Sequence, residues 1–108
     1  MNKGHVHAGE VINLNTLKGD MSPDSTYALV KTSDMEVIRM VIPEGRNIDE
    51  HSVDGQVTIQ CLNGTVQFRL GNETRELSSG SWLFLDRNQP HSIYAETDAV
   101  LLVTILFT

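Results

Sequence analysis

Residues 57–85 read VTIQCLNGTVQFRLGNETRELSSGSWLFL, and the alternation inside this stretch decides the fold class. Val66, Phe68 and Leu70 alternate with Thr65, Gln67 and Arg69, the period-2 pattern of a strand with one wet face. Upstream, Val57 to Leu62 is a strand ended by Asn63-Gly64, a hairpin signal because both residues tolerate positive φ. Downstream, Gly71-Asn72 turns the chain into a short polar strand, Thr74 to Leu77, and Ser79-Gly80 opens Trp82 to Leu85. The same rhythm continues on both sides. The Asn88-Gln89-Pro90 turn leads to His91 to Ala95 and then to Val100 to Phe107. Towards the N-terminus, Val11 to Leu14 reads as a short strand and Gly19 to Ser25 as a loop carrying Pro23. Tyr27 to Lys31 and Met35 to Ile42 follow as strands, stopped by Pro43-Glu44-Gly45. A polar loop then contains His51 and the turn Asp54-Gly55. Nine short strands without an amphipathic helix predict an all-β sandwich or barrel of two antiparallel sheets. Composition agrees, with 26 Val, Ile and Thr against 14 Ala, Glu and Lys.

With 108 residues there is room for one domain, 1–108. A net charge of −6 opposes phosphate backbones, so nucleic acid is not expected as a partner. The single Cys61 has no internal disulfide partner, which suits a reducing compartment, the cytoplasm by default. Met1 to Glu10 is polar and lacks the apolar core of a secretory signal. The nine-residue apolar run Ala99 to Phe107 falls well short of the roughly 20 residues of a membrane helix, so no membrane association is expected. That run is apolar on both faces, as is Met35 to Ile42. One barrel interior cannot hide both, and a homodimer is the expected cover.

Between Gly45 and Ala95 the chain resembles the small single-domain cupins of the RmlC-like superfamily. Their first motif runs Gly, five residues, His, one, His, three or four, Glu, six, Gly. Residues 45–64 match it with Gly45, His51 and Gly64, while Val53 stands at the second His and Val57 at the Glu. The second motif runs Gly, five, Pro, one, Gly, two, His, three, Asn. Residues 80–95 supply Gly80 and His91, with Asp86 for Pro, Asn88 for Gly and Ala95 for Asn. Asn accepts the left-handed backbone that a Gly at position 88 would supply. The resemblance implies a jelly-roll-like double-stranded β-helix whose interior holds the site.

It also carries over two of the usual four metal ligands, His51 and His91. Two readings follow. In one, both imidazoles line a small-molecule pocket and hold at most a weakly bound divalent metal such as iron, manganese, nickel or zinc. In the alternative, the chain is a metal-dependent oxygenase or isomerase acting on a small polar or aromatic molecule. Gln56, one residue before the Glu position, is the candidate third ligand through its amide oxygen. Cys61 shares strand parity with Val57 and Ile59 and reads as a small buried hydrophobe. Asp49, Glu50 and Asp86 lie close enough in sequence to orient the imidazoles for proton transfer. His5 and His7 lie where chain ends are usually mobile and are set aside. Phe68, Trp82, Phe84 and Tyr94 read as core or pocket wall. No nucleophile elbow, P-loop or dinucleotide fingerprint occurs.

Overall fold

Period-2 burial along the apolar runs builds two facing layers. The computed structural model describes residues 5–14 and 26–107. Its strands are β1 (Tyr27–Lys31), β2 (Met35–Ile42), β3 (Asn47–His51), β4 (Gln56–Asn63), β5 (Thr65–Leu70), β6 (Glu73–Ser78), β7 (Trp82–Leu85), β8 (His91–Ala95) and β9 (Ala99–Leu106). They form a five-stranded sheet ordered β1-β2-β9-β4-β7 and a four-stranded sheet ordered β3-β8-β5-β6. Every pairing is antiparallel. No helix among the described residues is long and apolar enough to cross a membrane.

The core lies between the sheets. Val57, Ile59 and Cys61 of β4 and Leu101, Val103 and Ile105 of β9 project inward from the larger sheet. Val66 and Phe68 of β5 and Ile93 and Ala95 of β8 meet them from the smaller one. The thiol of Cys61 donates to the Asn63 and Gly64 carbonyls, and burial pushes it above its ordinary pKa, so it behaves as the small hydrophobe its parity suggests.

Three expectations are corrected. Val11 to Leu14 is not a strand: Val11 is 92% exposed and none of the four residues takes strand structure. In its place the polar loop before His51 forms β3, an edge strand that pairs only with β8. Its side chains are exposed apart from a half-buried Ile48, so it carries no alternation to read, and main-chain pairing rather than apolar burial makes it a strand. Third, Asn63-Gly64 does not close a hairpin. β4 and β5 belong to different sheets, and only Gly64 takes a positive φ, +87°. A two-residue type I′ turn needs positive φ at both positions, so the chain instead turns a corner from one sheet to the other. The expected loop Gly19 to Ser25 lies outside the described residues. At Asn88 the expectation holds: its φ is +60°, the left-handed backbone for which Asn substitutes for Gly.

Candidate functional site

His51 and His91 face each other across the β3–β8 pair, His51 opposite His91 and Ile48 opposite Ile93. Two residues lie between the β3 pair and one between the β8 pair, so one extra residue bulges out of β3. Because side chains alternate, an unbulged strand would have set Glu50 opposite His91. The bulge returns His51 to the face shared by Ile48, Ile93 and His91. The ring centroids are 4.4 Å apart and tilted by 57°. His91 is only 6% exposed and lies 6.1 Å from the Phe68 ring, whereas His51 is exposed at the mouth.

Each imidazole is tethered from behind. His51 Nδ1 donates to the main-chain carbonyl of Asp49 at 3.0 Å, and His91 Nδ1 to that of Gln89 at 3.1 Å. A carbonyl oxygen only accepts, so both rings carry a proton on Nδ1, and in its neutral form each imidazole keeps a lone pair on Nε2. The orienting groups are thus backbone carbonyls. The carboxylates read from the sequence do other work: Asp49 accepts from Asn47 Nδ2, and Asp86 accepts from the Arg87 amide. Backbone carbonyls carry no side-chain signature, and sequence reasoning had nothing by which to find them.

The imidazoles open onto a cavity of about 120 Å³ lined otherwise by apolar side chains from both sheets. Val53 and Val57 are among them, so the two positions where cupins place a His and a Glu do face the interior and carry valine. Ile38 and Met40 of β2 and Val103 and Ile105 of β9 complete the far wall. No sequence signal marks these four, because inward parity on a two-faced apolar strand is invisible before pairing is known. Gln56 is not brought to the site. It is exposed, pairs with Leu106 and precedes the inward Val57, so strand parity turns it to the outer face of β4. Phe68 lines the cavity, but Trp82, Phe84 and Tyr94 are exposed and leave the pocket-wall expectation to Phe68 alone.

A catalytic divalent metal does not fit this donor set. Each imidazole, with Nδ1 donating to a carbonyl, has the orientation of a metal ligand. Yet catalytic sites generally use three protein ligands, and no group of three or more His, Cys, Asp or Glu among the described residues is placed to hold an ion. Two neutral nitrogens with no anionic partner offer only weak, exchangeable contact.

Burial pushes His91 below its ordinary pKa. The Gln89 carbonyl pulls the other way, and the neighbouring His51 adds a smaller downward push. The unfolded chain therefore takes up this proton at a higher pH than the folded one. The stabilisation is intact above the unfolded value, about 6.5, and is lost as the pH falls through the lower folded value. Unfolding midpoints should drop between about pH 7.5 and about pH 5.5, and the drop should shrink in His91→Gln. Equal pH slopes for parent and variant in chemical denaturation would contradict this.

A family model for the AraC-like ligand-binding domain matches residues 41–106, which include both imidazoles, both valines and most of the cavity wall. The chain belongs to the AraC-like ligand-binding domain family. Solved structures place this AraC-like domain among the cupins by fold. It is similar to a protein of unknown function from Streptococcus pyogenes, with a TM-score of 0.81, 20% identity, and 97% and 93% of the two chains covered. An RmlC-like cupin from Desulfovibrio desulfuricans matches with a TM-score of 0.73 and 21% identity over 90% of this chain and 97% of that one. A cupin superfamily protein from Desulfitobacterium hafniense DCB-2 gives 0.74 and 16% over 77% and 76%. No curated protein matches the chain.

Proposed function

We propose that this AraC-like domain binds a small molecule in the cavity between its sheets, with His51 and His91 as the polar contacts. The observation that carries the reading is the cavity itself, about 120 Å³, apolar except for two imidazoles whose free nitrogens have no hydrogen-bond partner among the described residues. Ligand sites are typically concave, mostly apolar and equipped with a few placed polar groups. An oxygenase or isomerase reading would need a third metal ligand where valines stand. Any iron, manganese, nickel or zinc at the two imidazoles should strip easily with a chelator. A reducing cytoplasm suits the buried thiol.

The test is methyl-resolved NMR against small molecules of about ten heavy atoms or fewer, a size suggested by the roughly 150 Å³ apolar cavities known to accept benzene. Binders should perturb methyls of Ile38, Ile59, Val103 and Ile105 together, and His91→Ala should weaken them about tenfold, the worth of one buried hydrogen bond. A binder set that perturbs only methyls elsewhere would defeat the proposal.

We also propose that a second copy covers the outer face of the five-stranded sheet. On β4, β7 and β9 that face carries Thr58, Gln60, Leu102, Thr104 and Leu106 beside Trp82, 61% exposed, and Phe84, 46% exposed. None of these is charged, and Arg39 of β2, opposite Leu102 on the same face, is only 4% exposed, so two copies of the β4, β7 and β9 part of the face can meet with little like-charge repulsion. Sedimentation at tens of micromolar should report a dimer, and Phe84→Glu a monomer. A monomeric parent would remove the proposal.

A further inference from the structure

The ligand's chemical class can be narrowed from the imidazole tautomers, on the footing that the cavity is a small-molecule site as proposed above. With each Nδ1 proton held by a carbonyl, both rings in their neutral form present Nε2 as an acceptor, and no other polar side chain lines the cavity. The pocket therefore has two lone pairs and no donor. A carboxylate or phosphate would bring more lone pairs to a site with nothing to give them. A sugar would leave most of its hydroxyls unpaired against Ile, Val, Met and Phe side chains, each buried orphan counting against it. A molecule with one or two donors on an apolar body satisfies both halves of the pocket.

We propose that the natural ligand is a compact, largely apolar molecule bearing a hydroxyl or N–H group, which it donates to Nε2 of His91 or His51. His91 is the deeper acceptor and is backed by the Phe68 ring. His51 is its neighbour at the mouth, close enough to take a second proton donor from the same ligand. The apolar body lies against the wall formed by Ile38, Met40, Val103 and Ile105. No covalent step is involved, and no metal is needed.

The experiment uses the unmodified chain, treated with chelator, at about pH 8, where ordinary imidazoles are neutral. Long-range ¹H–¹⁵N spectra of the histidine rings should show the proton on Nδ1 of both His51 and His91. A proton on either Nε2 would overturn the inference directly. Three probes of similar ring size are then titrated while the pocket methyls are followed: phenol, fluorobenzene and benzoate. Phenol should bind about tenfold more tightly than fluorobenzene, the worth of one hydrogen bond to a buried acceptor, and benzoate should bind worst. His51→Phe and His91→Phe should each be examined, and at least one should erase the preference for phenol while keeping fluorobenzene binding. Two variants guard against one failing to fold. Equal binding of phenol and fluorobenzene, or benzoate binding best, refutes the donor class while leaving the pocket reading standing. If none of the three perturbs the pocket methyls, the small-molecule reading itself has failed, and the ligand class falls with it.

Discussion

Gly64→Ala should leave little folded protein. Gly64 sits at the corner where β4 hands the chain to β5, with φ at +87°. There an L side chain costs about 1–2 kcal/mol by backbone sterics alone. The larger cost is contact. A Cβ at this position would lie on the Asp98 carbonyl oxygen, 2.8 Å from Ala99 Cα and 2.9 Å from Thr97 Oγ1. Two of those three are backbone atoms at the entry to β9, the central strand of the larger sheet, and they cannot swing aside as a side chain would. Relieving the clash means shifting β9 against β2 and β4, an overpacking penalty of about 1–3 kcal/mol or more. Together these, about 2–5 kcal/mol or more, approach the lower end of the roughly 5–15 kcal/mol that holds such a domain folded. Gly45→Ala is the matched control. It shares a positive φ, +82°, but its Cβ would meet nothing within 4 Å. The control should lose only the backbone share and stay folded. Similar losses in denaturant midpoint for the two variants would show that the close approach of the corner to β9 does not matter.

The second large effect is expected from Phe68→Ala. Phe68 is fully buried, belongs to the core cluster between the sheets and also lines the cavity beside His91. Removing a buried phenyl ring typically costs about 3–5 kcal/mol through lost burial and the void left behind. For a domain of about this size that corresponds to a fall in Tm of at least about 12 °C. The void would join the existing cavity, so the variant should admit larger apolar molecules than the parent. Benzene should raise its Tm more than it raises the parent's, because a ligand that binds only the folded state stabilises it in proportion to affinity. A variant with unchanged Tm would mean that Phe68 is not the shared wall of core and pocket.

Local chemistry determined much of this in advance. Eight of the nine strands follow from the sequence, most from runs whose side chains alternate or are largely apolar, because the pleat sends successive residues to opposite faces, and the polar β6 from the Gly71-Asn72 turn before it. The resemblance to the cupin motifs also put His51, Val53, Val57 and His91 at one site, and all four line the same cavity. The left-handed Asn88 was legible for a similar reason, since few residues other than Gly accept that backbone.

What the tertiary structure alone decided depends on contacts between distant segments. β3 exists because β8 offers it a main-chain ladder, and no side-chain pattern announces an edge strand held that way. The bulge that turns His51 inward is a mismatch between two strands and has no meaning within one. Asn63-Gly64 has the local chemistry of a hairpin, yet it became a corner because β4 is paired on both sides by β7 and β9, while β5 pairs with β6 and β8. Parity measured against β9 turns Gln56 to the outer face, and the carbonyls of Asp49 and Gln89 orient the imidazoles without any side chain to mark them. The sequence by itself named the two imidazoles. Their shared tautomer, and so the kind of ligand they would accept, came from backbone groups that only the folded chain brings into position.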